Sequence, residues 1–387
     1  MAALTMIDFK EAQPSGLDLF NMPPVQTACD KVYYQEVRSN SQRGANTPIE
    51  FVITGQNGME YVDLQKTKLY VKCKIQHGDG SPLSADESVG PVNLLLQSLF
   101  SHVDITMQGK LITSATSHYP YKAYIQTLLS YGSEAKESQL TSQLWEKDLT
   151  GHFNDVDPES TNNTGLFKRS LYFKESKTVD MEGPLYHDLF VSRFILNQVA
   201  INVNLYPSRP EFYLLTKLVS PNLQIHIEDI VLKVCKVLVS PAVIVAQSQM
   251  LQSKNALYPF TKTQIMPINM SAGLINFNYD NIFNGMGPSR VVIGFVDSEA
   301  VAGSYQLNPF NFEHFNLNQI CLFVDNVPVS VNVMKLNFDR SHGRTIIPAF
   351  NSLFSVTNKS RRDAGNDIDR ASYASDNSLH FMYIVLK

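Results

Sequence analysis

The stretch Leu69-Tyr70-Val71-Lys72-Cys73-Lys74-Ile75 alternates apolar side chains with tyrosine and lysine. Successive side chains of a β-strand point to opposite faces of a sheet, so strict alternation is typical of a half-buried strand. We therefore predict a strand here, with an apolar face turned to a core and a lysine-rich face turned to solvent.

Similar strand signals recur along the whole chain. In the first half, strands are predicted at 49–53, 103–107, 171–173, 189–196, 199–205 and 223–239. The apolar parity of the last of these runs shifts between Lys233 and Lys236, as a β-bulge requires. A turn cluster at 55–58 contains Asn-Gly, a strong hairpin signal. In the second half, strands are predicted at 291–296, 320–324, 329–336 and 381–386.

Helical spacing is confined to short stretches. One helix face is formed by Tyr121, Tyr124, Ile125, Leu128 and Leu129, and Gly132 follows as a fitting C′ residue. A second short helix is predicted from Ser133 to about Lys147, and a third over 241–253, where Ser240 precedes Pro241. Few helices among many short strands indicate an all-β sandwich or barrel, and the strand–helix alternation of a parallel α/β fold is missing.

The composition narrows the class of protein. The chain has 387 residues, of which 44% are hydrophobic and 18% charged, with a formal net charge of −4. Such a chain is neither charged enough nor poor enough in aromatics to be disordered, and its negative charge disfavours a nucleic-acid binder driven by overall charge. Low charge fits a surface covered by copies of the same chain, although a secreted β-protein has a similar composition.

The cysteines and the N-terminus predict the compartment. Cys29, Cys73, Cys235 and Cys321 form neither a CxxC clip nor a disulfide framework, which favours a reducing environment. The first residues lack a basic region followed by an apolar one, so secretion is not expected. The longest apolar run, around 241–246, is far shorter than the roughly 18 residues of a membrane span.

Two histidines lie beside carboxylates, and one acidic cluster has alternate spacing. Glu313-His314 and His187-Asp188 each supply half of an acid–base pair, but no third partner lies within sequence reach, so we interpret both as ordinary loop histidines. Asp155, Asp157 and Glu159 alternate as in a calcium loop, yet the glycine of an EF-hand is absent, which favours a solvated loop.

Three further segments have a functional and a structural interpretation. Lys359-Ser360-Arg361-Arg362 resembles a nucleic-acid patch, but Asp363, Asp367 and Asp369 follow, so we predict a local charge-paired loop. The aromatic stretch 309–316 fits a glycan or partner site, or a loop that its aromatics pin onto a β-core. The glycines at 284–288 precede a strand and predict a turn. We therefore predict no catalytic, cofactor-binding or metal-binding residue, and no cofactor.

The order of several short segments is similar to that of a known family. These are Asp18–Pro24, Pro48–Ile53, Tyr61–Leu64, Val89–Asn93, Leu99–Asp104, Tyr119–Ile125, Lys177–Met181, Arg290–Gly294 and Asn308–Phe312. Together they resemble the double jelly-roll major capsid protein of Polinton (Maverick) elements and adintoviruses. The resemblance runs from about residue 18 to the last residue and rests on many short matches in the right order.

The resemblance implies a fold and its division. It implies two tandem eight-stranded jelly rolls: an N-terminal arm at 1–25, a first jelly roll at 26–240 with a helical insertion at about 114–166, a helical connector at 241–256, and a second jelly roll at 257–387. The arm is expected at the inner base of a shell, and the insertion in an outward loop or a subunit contact. Relatives continue beyond the equivalent of residues 383–386, so the second jelly roll is expected to be incomplete.

The resemblance also implies a structural, non-enzymatic function. Three chains would form a pseudo-hexagonal capsomer, and capsomers would tile an icosahedral shell around DNA, with neighbouring capsomers and a minor (penton) protein as partners. The expected location is the virion, after assembly inside the cell, with no sequence-specific nucleic-acid binding. One alternative is a domesticated or lectin-like jelly-roll protein that binds a ligand without assembling. An enzyme on a cupin-like jelly roll is disfavoured because the histidines are scattered.

Overall fold

The computed structural model describes residues 19, 25–40, 47–54, 58–112, 118–160, 162–191, 193–218, 221–283, 287–329, 333–339, 341, 343–375 and 382–386. It is a mostly-β structure with several sheets and short helices. Nearly all of the expected N-terminal arm lies outside the described residues. Within the described residues, no helix has the length and apolar character needed to cross a membrane.

The described part of the first 240 residues contains ten strands. They are β1 (Cys29–Arg38), β2 (Ile49–Ile53), β3 (Glu60–His77), β4 (Val89–Pro91), β5 (Phe100–Met107), β6 (Lys110–Leu111), β7 (Val179–Pro184), β8 (Ile201–Pro207), β9 (Leu214–Thr216) and β10 (Leu223–Val239). Two four-stranded sheets have the orders β1-β10-β3-β7 and β2-β8-β5-β6, and β4 pairs with β9. All these pairs are antiparallel.

The two four-stranded sheets share one apolar core. In β2 the side chains of Ile49, Phe51 and Ile53 are buried, and the two between them are partly exposed. The inward side chains of β3 belong to the same hydrophobic cluster as those of β2. Burying one such side chain contributes about 1.5–3 kcal/mol, so alternation along the strands holds the sandwich together.

Helices occupy the connections between strands. They are α1 (Leu95–Ser98), α2 (Tyr119–Ser130), α3 (Ser133–Glu137), α4 (Thr164–Phe173), α5 (Pro210–Tyr213), α6 (Pro241–Leu251), α7 (Ser298–Ala302), α8 (Ile347–Ser355) and α9 (Arg370–Tyr373). Short 3₁₀ turns cover Gln139–Gln143, Lys174–Ser176 and Asp188–Val191. The two longest helices, α2 and α6, were both predicted from the sequence.

The described part of the second half contains six shorter strands. They are β11 (Arg290–Gly294), β12 (Gln319–Ile320), β13 (Phe323–Val324), β14 (Val327–Pro328), β15 (Met334–Lys335) and β16 (Met382–Leu386). β11 pairs with β16, β12 with β15 and β13 with β14. Buried Phe310, Leu353 and Tyr373 pack into the same hydrophobic cluster as the first half. The division into an arm, two jelly rolls and a connector stays a prediction.

Most of the predicted strands of the first half are confirmed. Leu69, Val71, Cys73 and Ile75 are all buried in β3. On the other face, Lys72 and Lys74 lie 3.5 and 3.6 Å from the Glu228 carboxylate, so the lysine-rich face is paired across the sheet. The β3–β10 register shifts between Lys233 and Cys235, which confirms the predicted bulge.

Two predicted strands are wrong because local interactions favour helices. Residues 171–173 are the last turn of α4, whose N-cap, Asn163, accepts a hydrogen bond from the Leu166 backbone N–H at 3.3 Å. Leu166 and Phe173 are both fully buried on one side of this helix. Of residues 189–196, the first three lie in a 3₁₀ turn, and Ile195 makes only an isolated bridge to Val62.

The turn cluster at 55–58 does not join a hairpin. β2 pairs with β8 in one sheet, whereas β3 pairs with β10 and β7 in the other, so the connection crosses from sheet to sheet. Residues 55–57 themselves lie outside the described residues.

The second predicted helix is shorter than expected. α3 ends at Glu137, and a separate 3₁₀ turn follows. Leu144 ends this 3₁₀ turn because its backbone is left-handed, with φ 57°. Gly132 has φ −85°, so it does not supply the left-handed C′ conformation predicted for α2. In the second half, the run 320–324 is divided into β12 and β13, and residues 330–332 and 381 lie outside the described residues.

Candidate functional site

Three of the charged side chains that the fold buries lie where the insertion meets the second half of the chain. We call Lys136, Asp148, Arg169, Asn308 and Asn366 the buried polar junction. Each of these side chains belongs to a residue that is at most 3% exposed. A buried charge is costly unless it is paired and hydrogen-bonded, so the stability of the fold depends on the partners of these side chains.

Arg169 lies at the centre of the junction. Its Nη2 donates to the Asp148 carboxylate at 2.6 Å, and both side chains are fully buried. Its Nε donates to the Pro91 carbonyl at 2.8 Å, and Nη1 donates to the Glu146 carbonyl. The guanidinium thus joins α4, the segment before it and strand β4.

The local backbone positions this ion pair. The Asn163 side chain accepts from the Leu149 backbone N–H at 3.2 Å as well as from α4, so the segment around Leu149 and the start of α4 are held together. Gly165 allows the Lys147 carbonyl to approach α4, because a Cβ there would lie 2.3 Å from that oxygen. Asn308, from the second half, donates to the other Asp148 oxygen at 3.5 Å.

Lys136 makes a second connection between the halves. Its ammonium donates to the Leu128 carbonyl at 3.1 Å and to the Asn366 carbonyl at 2.6 Å. It also lies over the Trp145 ring, 5.3 Å from the centroid. Burial lowers the pKa of Lys136 from its usual value to about 7, although Asp367 opposes the shift.

The low pKa of Lys136 predicts a pH dependence of stability. In the unfolded chain this lysine keeps its usual, higher pKa, so between about pH 7 and pH 9 the unfolded state binds more protons than the folded state. The free energy of unfolding is then expected to rise with pH in this range. Urea unfolding at pH 7, 8 and 9 measures it, with Lys136→Met as the reference.

The comparison with the reference variant isolates this residue. Lys136→Met removes the titrating group, so the difference in stability between the wild type and the variant should change with pH, in favour of the wild type at higher pH. A difference that stays constant from pH 7 to pH 9 would show that Lys136 is not the cause.

The two histidine–carboxylate neighbours are not acid–base pairs. His314 is buried and stacks on Phe338 with centroids 4.0 Å apart, while its Nδ1 accepts from the Asn316 N–H at 2.9 Å. His187 Nδ1 accepts from the Leu189 N–H at 3.1 Å, and burial lowers the pKa of His187 to about 4, with Lys122 adding to the effect.

The carboxylates beside these histidines have other partners. Asp188 accepts from Lys122 at 2.6 Å and from the Thr263 backbone N–H at 2.7 Å. Glu313 accepts from the Asn311 amide at 2.7 Å, and burial raises the pKa of Glu313, with Asp297 adding to the shift. Both neighbours therefore organise loops, as the sequence interpretation expected.

The acidic cluster at 155–159 organises its own loop. Asp155 accepts from the Asp157 N–H at 3.3 Å and from the Ser160 hydroxyl at 3.0 Å, and Asp157 accepts from the Glu159 N–H at 3.1 Å. Asp157 also pairs with Lys217 at 2.6 Å. In the described residues, no group of three or more histidines, cysteines and carboxylates has the geometry to hold a metal ion.

The basic cluster does not form the local pairs that the sequence predicts. Asp367 pairs instead with Lys147 at 3.0 Å, and Asp369 caps α9 by accepting from the Ser372 N–H at 2.6 Å. Lys359 donates to the Gly365 carbonyl at 2.6 Å. The predicted local pairing is wrong for Asp367 and Asp369, because Lys147 of the insertion pairs with Asp367 and the N-terminus of α9 binds Asp369.

The aromatic stretch at 309–316 pins a loop onto the core. Phe310 is fully buried and stacks on Tyr124, with centroids 4.2 Å apart and an interplanar angle of 2°. Phe312 is also buried, and its centroid lies 6.1 Å from that of Tyr124. This confirms the structural interpretation of the stretch. Of the predicted turn at 284–288, residues 284–286 lie outside the described residues.

Sequence reasoning missed Arg169 and Lys136. Both lie in short helices, and nothing in the sequence around Lys136 marks it as buried. The one available signal for Arg169 is a charge within the otherwise apolar pattern of Leu166 and Phe173. The junction holds charges in fixed internal pairs, an arrangement that rigidifies a protein.

Comparison with known proteins gives partial similarities. No family model matches the chain. Uncharacterized protein F54H12.2 of Caenorhabditis elegans is 23% identical over 330 residues, which is 83% of this chain and 76% of that protein.

Among solved structures, the chain has partial similarity to viral capsid proteins. The Faustovirus major capsid protein has 12% identity and a TM-score of 0.39 over 60% of this chain and 58% of its own. The mavirus major capsid protein has 16% identity and a TM-score of 0.32, over 62% and 54%. The PBCV-1 virus capsid has 9% identity and a TM-score of 0.44, over 95% and 80%. The chain spans little more than half the length of the first two.

Proposed function

We propose that this chain is a structural, non-enzymatic capsid protein built from two tandem jelly rolls. The observation that carries the proposal is the nesting of the strand pairs in the first half. β1 pairs with β10, β2 with β8, β3 with β7 and β5 with β6. Each of these four pairs encloses the next, as in a long hairpin rolled into two facing sheets, and this nesting supports an eight-stranded jelly roll.

In this proposal residues 257–387 form the second jelly roll, and three chains form a capsomer. Capsomers tile an icosahedral shell around DNA, in contact with each other and with a minor (penton) protein. The shell is the protein's location in the virion, and assembly takes place inside the cell. The buried polar junction supports the proposal because it fixes the insertion to the second half and gives the subunit a rigid shape.

Exposed apolar side chains support a subunit contact at the end of the insertion. Phe167, Leu171 and Tyr172 on α4 are exposed, as is nearby Leu149 in the preceding loop. Adjacent exposed apolar side chains of this kind are typical of interaction surfaces. We therefore place an inter-subunit contact on the outer face of α4.

The test is the mass of the purified full chain at high concentration. Light scattering is expected to give three times the monomer mass, and negative-stain microscopy to show pseudo-hexagonal capsomers. Leu171→Glu should shift the protein toward monomer, because it places a charge in the contact. The matched control Leu111→Glu changes a similarly exposed leucine on the β5–β6 hairpin and should leave the mass unchanged. A strict monomer at every concentration, without capsomers or particles, would contradict the proposal.

A further inference from the structure

Residues 241–283 are an unusually exposed and weakly charged part of the surface. This run contains three charged residues, Lys254, Lys262 and Asp280. It includes α6, and none of its residues is buried. An apolar, charge-poor segment with no buried side chain is a candidate for contact with another chain, because interface cores are depleted in charge.

Within this run, Ile275-Asn276-Phe277-Asn278-Tyr279 has the pattern of a strand. Apolar and aromatic side chains alternate with asparagine, which is the period of a half-buried strand. The Phe277 and Tyr279 rings are stacked with centroids 6.3 Å apart, so the two side chains lie on the same side of the chain.

This strand-like segment has no strand partner in the described chain. Residues 275–279 belong to none of the sheets that the structure describes. Ile275 is 94% exposed and Tyr279 is 50% exposed. Backbone that belongs to no sheet, next to exposed apolar side chains, is a template for pairing with another strand.

The sequence of the segment is nearly the same in both directions. If two copies pair antiparallel about Phe277, Ile275 lies opposite Tyr279, Asn276 opposite Asn278, and Phe277 opposite itself. Extending the pair by one residue brings Asp280 opposite Leu274, so no like charges meet. Aromatic pairs and aromatic–β-branched pairs are favourable across strands. An isologous, two-fold contact requires this kind of self-complementary surface.

We propose that residues 275–279 pair antiparallel with the same residues of a second copy of this chain, about a two-fold axis at Phe277. A contact this small is weak for two isolated chains, so it becomes significant when several copies are already held together. The inference rests on the proposed capsomer only for the place of this contact in the assembly, because the two-fold strand pair would join one capsomer to the next.

Cysteine cross-linking tests the register directly. In the full chain, Phe277→Cys places two thiols opposite each other at the two-fold axis, within the distance that a disulfide spans. Mild oxidation should give intermolecular dimer on a non-reducing gel, about fivefold more than for Tyr279→Cys, whose thiol lies opposite Ile275 rather than itself. Equal cross-linking in the two variants, after subtraction of the wild-type background, would overturn the inference.

A charge substitution at Phe277 provides a second, independent test of the two-fold contact. Phe277→Asp places two carboxylates opposite each other, so sedimentation at high concentration should show loss of the species larger than the capsomer. Phe323→Asp, at an exposed phenylalanine in β13, is the matched control and should behave like the wild type. Loss of these species in both variants or in neither would contradict the inference.

The outcomes separate this inference from the proposed function. Cross-linking through position 277 without any trimer would support the two-fold pair and contradict the capsomer. Trimers that form normally and show no register-specific cross-link would support the capsomer and overturn the two-fold pair.

Discussion

Replacing Arg169 with methionine is expected to lower the free energy of unfolding by about 3–5 kcal/mol, the cost of breaking a buried ion pair from one side. Asp148 would lose its guanidinium partner, which lies 2.6 Å away, while remaining fully buried. The carbonyls of Pro91 and Glu146 would also lose their donors. Urea unfolding followed by the fluorescence of Trp145, the only tryptophan, measures the loss.

Two variants test the cause of this loss. Lys168→Met removes the neighbouring cation, which is exposed and pairs with Glu146 at 3.3 Å, and should change stability by less than about 1 kcal/mol. The double variant Arg169→Met with Asp148→Leu removes both charges and should recover a large part of the loss. If Arg169→Met and Lys168→Met cost the same, the buried pair is not the cause.

Replacing Phe310 with alanine is expected to cost about 3–5 kcal/mol of folding free energy, as for other buried phenylalanines. The ring is fully buried and stacked on Tyr124, so its removal leaves a cavity between the loop of the second half and helix α2. The second half should also detach more readily, which limited proteolysis across residues 255–283 would detect as faster cleavage.

Phe315→Ala is the matched control for this prediction. Phe315 lies in the same aromatic stretch but is 57% exposed, so its truncation should change the stability by less than about 0.5 kcal/mol. Equal costs at positions 310 and 315, or unchanged proteolysis of Phe310→Ala, would show that the stretch does not hold the two halves together.

The strands of the sandwich were predictable because each one shows its environment in its own sequence. Leu69, Val71, Cys73 and Ile75 are all buried. Their alternation with tyrosine and lysine indicates this burial, and it is visible without any knowledge of the partner strand. The bulge near Lys233 was predictable for the same reason, because it shifts the alternation of apolar and polar residues within the sequence of that one strand.

Short apolar runs could not be assigned in this way. Residues 171–173 fit a strand or the end of a helix equally well, and the decision is made by the cap at Asn163, eight positions earlier. Likewise, Asn57-Gly58 favours a hairpin locally, but the pairing of β2 with β8 and of β3 with β10 is decided by residues far along the chain.

The buried polar junction is beyond the reach of local patterns for a further reason. Its partners are backbone carbonyls and side chains from four distant segments, such as Pro91 for Arg169 and Asn366 for Lys136. Periodicity records which face of an element is apolar, but it does not record which buried carbonyl lies nearby. A charge satisfied mainly by carbonyls therefore has the same sequence signature as a solvated charge.

The nesting of the strands also sets the order in which the chain can fold. β10 lies between β1 and β3, and Cys29 pairs with Val239, which is 210 positions later. At a synthesis rate of about 5–20 residues per second, the first strand waits roughly 10–40 seconds on the ribosome for its partner. Contacts between residues so far apart in sequence make folding slow. The nascent chain therefore carries an unpaired sheet edge until late in its synthesis, and the cell's chaperones are expected to govern its yield.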